Sequence, residues 1–251
     1  MPRFIPFRLV AAGALALALS LSPAASAAAK GVSADLRVVG KGGRALTEQT
    51  LSTATTTIKT SRKANCFGAG TAGSGASVTI KGATALGLLG QAAKTTGSLR
   101  PLLVTDAFDF GLGICGVGAS KVSGKASWYL KVNHKGATVS GDAVKLKPGD
   151  EVLWDLAPSY PYPNELGLEV PDSALGAQPF QVTVYSYDEK GKRKPVSGAI
   201  VTGASGPTDA SGKASVTLSA PASLVATHGK DIPSPAEKVC IGIACPAGPY
   251  K

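Results

Sequence analysis

The chain has 251 residues, of which 44% are hydrophobic, 17% are charged and only 6% are aromatic. That balance supports a buried core and excludes a highly charged disordered chain. The 31 glycines and 17 prolines favour short strands and turns over long helices. The formal net charge of +10 suits screened attraction to anionic polymers.

The N-terminus has the three parts of a secretory signal peptide. Arg3 and Arg8 supply positive charge, an apolar run follows, and Ala25-Ser26-Ala27 fits a small-residue cleavage motif. The apolar run is shorter than the roughly 20 residues that span a bilayer. Residues 1–27 are therefore predicted to be a signal peptide cleaved after Ala27. Cleavage would remove two arginines, and the mature chain is predicted to be extracellular, with no transmembrane segment.

All four cysteines lie beyond the predicted signal peptide, at Cys66, Cys115, Cys240 and Cys245. In an oxidising compartment, an even number of cysteines favours disulfides. Three pairings are possible, and Cys66–Cys115 with Cys240–Cys245 is favoured because each pair then lies within one predicted domain. A metal site is not predicted, because only two histidines occur and no paired C-x-x-C motif is present.

Hydrophobic periodicity divides the first part of the chain into strands and one helix. The stretch TLSTATTTIKTS is rich in β-branched residues and favours a strand, whereas NCFGAGTAGSG is too rich in glycine to be regular. Thr84 to Thr96 is predicted to be a helix, with Thr84 as its N-cap. The other predicted strands run from Ala34 to Gly40, Leu102 to Phe110, Ser127 to Asn133 and Val144 to Asp155.

The two tryptophans are predicted to be core residues. In SWYLKVN, alternation places Trp128 on one face of a strand and Lys131 on the other, and Trp154 has the corresponding inward position in the later strand. Strands with a single helix across one face of a small sheet define an α+β arrangement. Residues 28–157 are predicted to form this domain.

Three prolines in APSYPYP mark a boundary, and residues 158–163 are predicted to be a Pro-rich linker. Beyond it the helix signal disappears, and short strands at turn-rich spacing predict an all-β sandwich over residues 164–251. These strands run from Glu165 to Val170, Phe180 to Tyr185, Ser197 to Thr202, Ala214 to Leu218, Ser223 to Thr227 and Val239 to Ile243.

Three segments of the first domain together resemble one family, the domain of unknown function similar to the C-terminal β-domain of transcobalamin and intrinsic factor. They are FGLGICGVG, SWYLKVNHKGATVSG and KLKPGDEVLWDL. In that family an aromatic strand ends in an Asn-x-x-Gly turn, here Asn133 and Gly136, and a "GDEV" strand follows, here Gly149 to Val152. The resemblance covers roughly residues 30–157. It implies a β-grasp-like fold and the holding of a small ligand such as a corrinoid.

The vitamin carriers hold that ligand mainly in a helical barrel, which this chain does not encode. In the second domain, GAIVTGASGPTDASGKASVTL, from Gly198 to Leu218, resembles the prealbumin-like or immunoglobulin-like repeats of bacterial surface proteins.

No set of residues predicts catalysis. Gly111-x-Gly113-x-x-Gly116 matches the dinucleotide fingerprint formally, but no helix follows it, so a tight loop beside a disulfide is favoured. His134 and His228 are predicted to lie in solvent-exposed turns without a nucleophile nearby. The carboxylate pairs weighed for glycoside chemistry, Asp106 with Asp109 and Asp150 with Glu151, are interpreted as turn residues. The chain is therefore predicted not to be an enzyme, with no cofactor.

Two surface features bear on binding. Tyr160 and Tyr162 lie among prolines, where they could stack on sugars or enter a partner's polyproline groove, or rest on a neighbouring domain as part of a stiff linker. The basic run from Lys190 to Lys194 is interpreted as a solvated hairpin tip. Because it lacks interleaved aromatics, nucleic-acid binding is not predicted.

The sequence thus favours a secreted, non-catalytic binding or adhesion module, with anionic cell-wall or surface polymers as its partners. A small-ligand carrier, for example for a corrinoid, is one alternative. A secreted degradative enzyme, whose acid residues cannot be paired from the sequence, is the other.

Overall fold

A computed structural model describes residues 31–242 and Cys245 of the chain. The predicted signal peptide with its cleavage site at Ala27, and the last residues of the predicted sandwich, lie outside this range. The described chain is rich in β-strands and has one α-helix, which confirms the coarse fold class predicted from the sequence.

The helix is α1 (Ala85–Thr95), and short 3-10 turns lie at Lys41–Gly43 and Gly97–Leu99. The strands are β1 (Val32–Val39), β2 (Ala45–Thr53), β3 (Thr56–Lys59), β4 (Ser77–Ile80), β5 (Leu102–Thr105), β6 (Gly113–Val117), β7 (Ser120–Lys121), β8 (Ser127–Val132), β9 (Lys135–Gly136), β10 (Glu151–Ala157), β11 (Glu165–Glu169), β12 (Ser173–Ala174), β13 (Pro179–Tyr187), β14 (Arg193–Pro195), β15 (Ile200–Val201), β16 (Lys213–Thr217), β17 (Ala222–Leu224), β18 (Ala226–Thr227) and β19 (Glu237–Ile241).

A five-stranded sheet organises the first part of the chain, with the order β2-β1-β10-β8-β9. Strands β1 and β10 are parallel, and the other neighbours are antiparallel. Helix α1 packs against β1, β2 and β3. As predicted, Thr84 caps it, because its Oγ1 accepts a hydrogen bond from the backbone N–H of Gly87 at 3.0 Å. Leucines 86, 88 and 89 of this helix are fully buried.

Two smaller sheets complete this part, β3-β4 and β5-β6-β7. The stretch from Gly111 to Gly116, which was predicted to be a tight loop, contains most of strand β6. Its backbone groups pair with β5 and β7, and this pairing needs no large side chains. The threonine-rich stretch forms two strands, β2 and β3. The segment from Val144 to Lys147 is outside the strands, since the predicted late strand begins only at Glu151.

The second part of the chain contains only short sheets. Strand β13 pairs with β11, β14 and β16, β19 pairs with β12 and β17, and β15 pairs with β18. A hydrophobic cluster that includes Leu166, Val184, Val216 and Leu224 fills the space between them. A separate cluster around α1 fills the first part, and a small third one joins Val39, Leu153 and Ile232.

Both disulfides have the pairing favoured from the sequence, Cys66–Cys115 and Cys240–Cys245. The first joins the long glycine-rich loop to β6, and the second closes a short loop after β19. Across the described part of the chain, α1 and the 3-10 turns are too short to cross a bilayer as an apolar helix.

Candidate functional site

An aromatic groove of about 580 Å³ lies on the first part of the chain. Its aromatic lining is contributed by five separate segments, through Phe67, Phe110, Trp128, Tyr129, Trp154 and Tyr162. Phe110 is 76% exposed and Val139, on the rim, is 57% exposed. Large apolar side chains that stay exposed around a concavity mark an interaction site more often than scattered ones do.

One wall of the groove consists of phenylalanines beside the first disulfide. Phe67 meets the edge of Phe108 at a centroid distance of 5.3 Å, and Phe108 stacks on Phe110 at 4.9 Å. Gly113 leaves room for this wall, since a Cβ there would lie 2.9 Å from the ring of Phe67. The Cys66–Cys115 bond fixes the neighbouring backbone, so this wall is attached to a cross-linked segment.

The opposite wall consists of tyrosines. Tyr162 stacks on Tyr129 with centroids 3.8 Å apart and planes at 17°, and the ring of Tyr160 meets Tyr162 edge-on at 5.6 Å. The sequence left open whether these tyrosines contact a ligand or partner or rest on a neighbouring domain. Tyr162 rests on the preceding part of the chain. Tyr160 is 77% exposed and remains available for contact. Burial raises the pKa of Tyr129 to about 12.

The groove residues Trp128 and Ser140 carry polar atoms without a partner in the described structure. The indole Nε1 of Trp128 and the Oγ of Ser140 are buried and make no hydrogen bond. A buried donor left unpaired costs about 1–3 kcal/mol. Both atoms are closed to solvent in this conformation, so a ligand hydroxyl would pair with either one only after a neighbouring side chain had moved. Trp154, as predicted, is a core residue and is 4% exposed, whereas Trp128 is only partly buried.

A polar junction joins the five-stranded sheet to the second part of the chain. Arg37, Leu153 and Lys131 lie side by side across β1, β10 and β8, on the face opposite α1. Glu165, at the start of β11, covers them, with its carboxylate 4.0 Å from Arg37 and 3.8 Å from Lys131. Lys131 is only 1% exposed, and its Nζ donates to the carbonyl of Tyr187 at 3.1 Å.

Burial changes the acid–base properties of this junction. It lowers the pKa of both Lys131 and Arg37 and raises the pKa of Asp155 to about 7. Burial also acts to raise the pKa of Glu165, but the contacts with His134 and the two cations outweigh it and hold that pKa below its usual value. Opposite charges are thus assembled where neither would be stable alone.

His134 lies in a turn, as predicted, but its side chain is only 30% exposed and belongs to this junction instead of lying free in solvent. Its ring stacks on Tyr187 with centroids 3.8 Å apart and an interplanar angle of 6°. Its Nε2 lies 3.4 Å from Glu151 and its Nδ1 lies 3.3 Å from Glu165. The β8–β9 turn does carry His134, but the second part of the chain covers that turn.

The junction borders a cleft of about 380 Å³. Strands β1, β2 and β10 and the segment before β19 form it, and its charged lining residues are Asp35, Arg37, Glu48, His134, Glu151, Glu165, Glu237 and Lys238. Among its carboxylates, Glu48 accepts a hydrogen bond from the backbone N–H of Ala236 at 3.0 Å. No group of three or more metal-ligating side chains is assembled among the described residues.

The other residues singled out from the sequence lie apart from one another. Asp106 accepts a hydrogen bond from Ser74 N at 2.7 Å and so joins the end of β5 to the glycine-rich loop, whereas Asp150 accepts one from Lys147 N at 2.7 Å and stabilises the turn before β10. Glu151, in contrast, reaches His134. His228 contacts Asp231 at 2.8 Å. Gly113 and Gly116 lie within β6, with no helix directly after them.

The basic run from Lys190 to Lys194 occupies the β13–β14 hairpin, as interpreted from the sequence. Asp188 holds its tip by accepting hydrogen bonds from the backbone N–H groups of Lys190 and Lys192. The tip lies against the first part of the chain, where Lys190 forms a β-bridge with Lys135. Two lysines in direct cross-strand positions repel each other unless an anion lies between them.

Sequence reasoning missed the buried charges of the junction, Arg37, Lys131, Asp155 and Glu165, and the groove residues Phe67 and Phe110. A signal for two of the charges was present, because Arg37 and Asp155 interrupt apolar runs in LRVV and VLWDLA. Charged residues are rarely fully buried unless they are paired.

No protein-family model, curated protein or solved structure matches the chain. The resemblance to the transcobalamin-type β-domain and to bacterial surface repeats therefore remains a prediction from the quoted segments.

Proposed function

We propose that this protein is an exported, non-catalytic binding module that holds sugar rings of cell-surface glycans in the aromatic groove. Sugar rings have an apolar C–H face that stacks on aromatic side chains and hydroxyl edges that need hydrogen-bond partners. The groove provides the exposed rings of Phe67 and Phe110 and the half-buried rings of Tyr129 and Tyr162, and the unpaired Trp128 Nε1 and Ser140 Oγ are polar atoms of its lining residues. This combination in one concavity is the observation that carries the proposal.

In this proposal, residues 28–157 form a β-grasp-like domain of the transcobalamin type, residues 158–163 a linker, and residues 164–251 an immunoglobulin-like or prealbumin-like sandwich. Helix α1 across a sheet with a parallel central pair is compatible with the first assignment. The signal peptide predicted over residues 1–27 places the protein outside the cell. The net positive charge adds non-specific attraction to anionic wall polymers.

The test is a titration of the protein with soluble glucosamine-containing oligosaccharides and with purified cell-wall glycan. Binding is measured by calorimetry and by intrinsic fluorescence. The two tryptophans of the chain both line the groove, so their emission reports on its occupancy. We expect Phe110→Ala and Tyr162→Ala each to weaken binding about fivefold, the effect of roughly 1 kcal/mol of lost ring contact. Ile200→Ala removes an exposed apolar side chain of β15 outside the groove and serves as the matched control.

Affinity that is unchanged in both groove variants would show that sugars bind elsewhere or only through charge. Repeating the titration at low and high salt separates the contribution of the basic surface, because exposed charges are screened by salt. Cobalamin is included as a probe. Its co-elution with the protein, without binding of any sugar, would favour the small-ligand carrier, and turnover of a wall glycan would favour the degradative enzyme.

A further inference from the structure

His134 lies between two carboxylates that come from different parts of the chain. Its Nε2 is 3.4 Å from Glu151 of β10, and its Nδ1 is 3.3 Å from Glu165 of β11. Tyr187 of β13 covers the ring face. The side chain of Glu165 is 8% exposed and that of His134 is 30% exposed, and neither Glu165 Oε2 nor His134 Nδ1 makes a hydrogen bond, so this contact is a partly buried electrostatic one.

The protonation state of the imidazole decides what it can do in this position. A neutral imidazole has one N–H, whereas an imidazolium has two. Only the protonated ring can donate toward both Glu151 and Glu165. When the ring is neutral, one of its nitrogens faces a carboxylate oxygen with a lone pair, and the contact is repulsive instead of attractive.

The neighbouring charges determine which groups respond to pH. Glu165 also faces Lys131 from β8 and Arg37 from β1, and with His134 these two cations keep its pKa low, so it stays ionised near neutral pH. Asp155 of β10, whose pKa burial raises to about 7, interacts with the same two cations and changes charge near neutral pH. His134 and Asp155 must therefore be separated by mutation.

The two tyrosines of the groove wall are connected to the partners of His134. Tyr129 precedes His134 in the same hairpin, and its hydroxyl lies directly against Gly136 of β9. Tyr162 lies three residues before Glu165, the residue that His134 contacts. The stack of Tyr162 on Tyr129 is thus formed by two segments that are joined by the contacts of Glu165 with His134, Lys131 and Arg37.

We propose that protonation of His134 controls the groove: the imidazolium pulls Glu165 onto the sheet and keeps Tyr162 stacked on Tyr129, and loss of the proton releases that wall. This inference rests on the proposed function, since it concerns the regulation of the same groove. The protein then holds its sugar ligand more tightly at mildly acidic pH than at alkaline pH.

The experiment compares the wild-type protein with His134→Gln, which cannot acquire the charge, between pH 5.5 and 8 at constant ionic strength. This interval covers the range in which histidine side chains ordinarily change charge. Affinity for the oligosaccharide is expected to fall about fivefold over this range in the wild type and to stay level in His134→Gln. His228→Gln, which alters the histidine beside Asp231, should retain the wild-type dependence, as should Asp155→Asn.

A second measurement needs no ligand. Hydrogen–deuterium exchange of the segment around residues 160–166 is compared between wild type and His134→Gln at each pH, so that the intrinsic pH dependence of exchange cancels. Faster exchange of the variant at pH 5.5 and equal exchange at pH 8 would support the proposal. Equal exchange at both pH values would overturn it. Binding with no pH dependence would also overturn it while leaving the proposed function intact, and an absence of sugar binding at every pH would refute that function alone.

Discussion

Asp155 is expected to make the stability of this protein fall as the pH rises toward neutrality. Burial raises the pKa of its carboxyl group from 3.8 to about 7, although Arg37 and Lys131 oppose that shift. In the unfolded chain the same group ionises near pH 4. Between about pH 4 and 7 the folded state therefore binds more protons than the unfolded state, so the contribution of Asp155 is fully present below pH 4 and is lost as the pH rises through 7.

The size of this effect follows from the two pKa values. A difference of about three pH units, at about 1.4 kcal/mol for each, corresponds to about 4 kcal/mol. Asp155→Asn keeps the shape of the side chain but cannot ionise. Relative to the wild type, the variant should gain about this amount of unfolding free energy between pH 4 and pH 8.

The assay is urea denaturation of both proteins at one-unit pH intervals, and unfolding is monitored by tryptophan fluorescence. Asp209→Asn is the control, because Asp209 is an exposed carboxylate whose pKa is lowered by hydrogen bonds from the backbone of Lys213 and from Ser211. Its stabilising contribution is present above pH 4 and is lost as the pH falls, which is the opposite sign. If the stability curves of wild type and Asp155→Asn run parallel from pH 4 to 8, burial does not control this carboxyl group.

Two further predictions concern a glycine of helix α1 and the two disulfides. In Gly90→Ala the new Cβ would lie 2.7 Å from the buried Ile58 Cδ1, so overpacking by about 1–3 kcal/mol should exceed the helix-propensity gain of about 1 kcal/mol. Thermal unfolding should show destabilisation that Ile58→Val partly relieves in the double variant; an alanine variant more stable than the wild type would contradict the contact. Replacing Cys66 and Cys115 together by alanine should cost about 4 kcal/mol, because that disulfide closes a loop of about 50 residues, whereas the same change at the short Cys240–Cys245 loop should cost about 2 kcal/mol. Denaturation midpoints of the two double variants give the order, and a larger loss at the short loop would refute it.

Local pattern was sufficient for the helix and for two long strands of the first core. Thr84 as an N-cap and leucines at helical spacing predict α1, whose structure begins and ends within one residue of that prediction. Alternation in SWYLKVN and EVLWDL likewise identifies the faces of β8 and β10 that meet the helix. These predictions succeed because the burial of an apolar face depends on residues a few positions apart.

The same alternation could not reveal the fate of the opposite face. Lys131 and Asp155 have the parity of solvent-facing residues, and a charged side chain on an outer face is ordinarily hydrated. Here Glu165 and the backbone of Tyr187 cover Lys131, more than thirty residues later in the chain. Likewise, the groove joins Phe67 to Tyr162, which no periodicity connects.

The sequence by itself therefore determined the cysteine pairs worth considering, helix α1, the inward faces of the main strands and a β-rich fold. The tertiary structure decided which charges are buried together, where His134 lies and which aromatic rings share a groove. The physical reason is that the free energy of burying a charge or exposing a ring depends on its partners in space, and segments far apart in the chain supply those partners here.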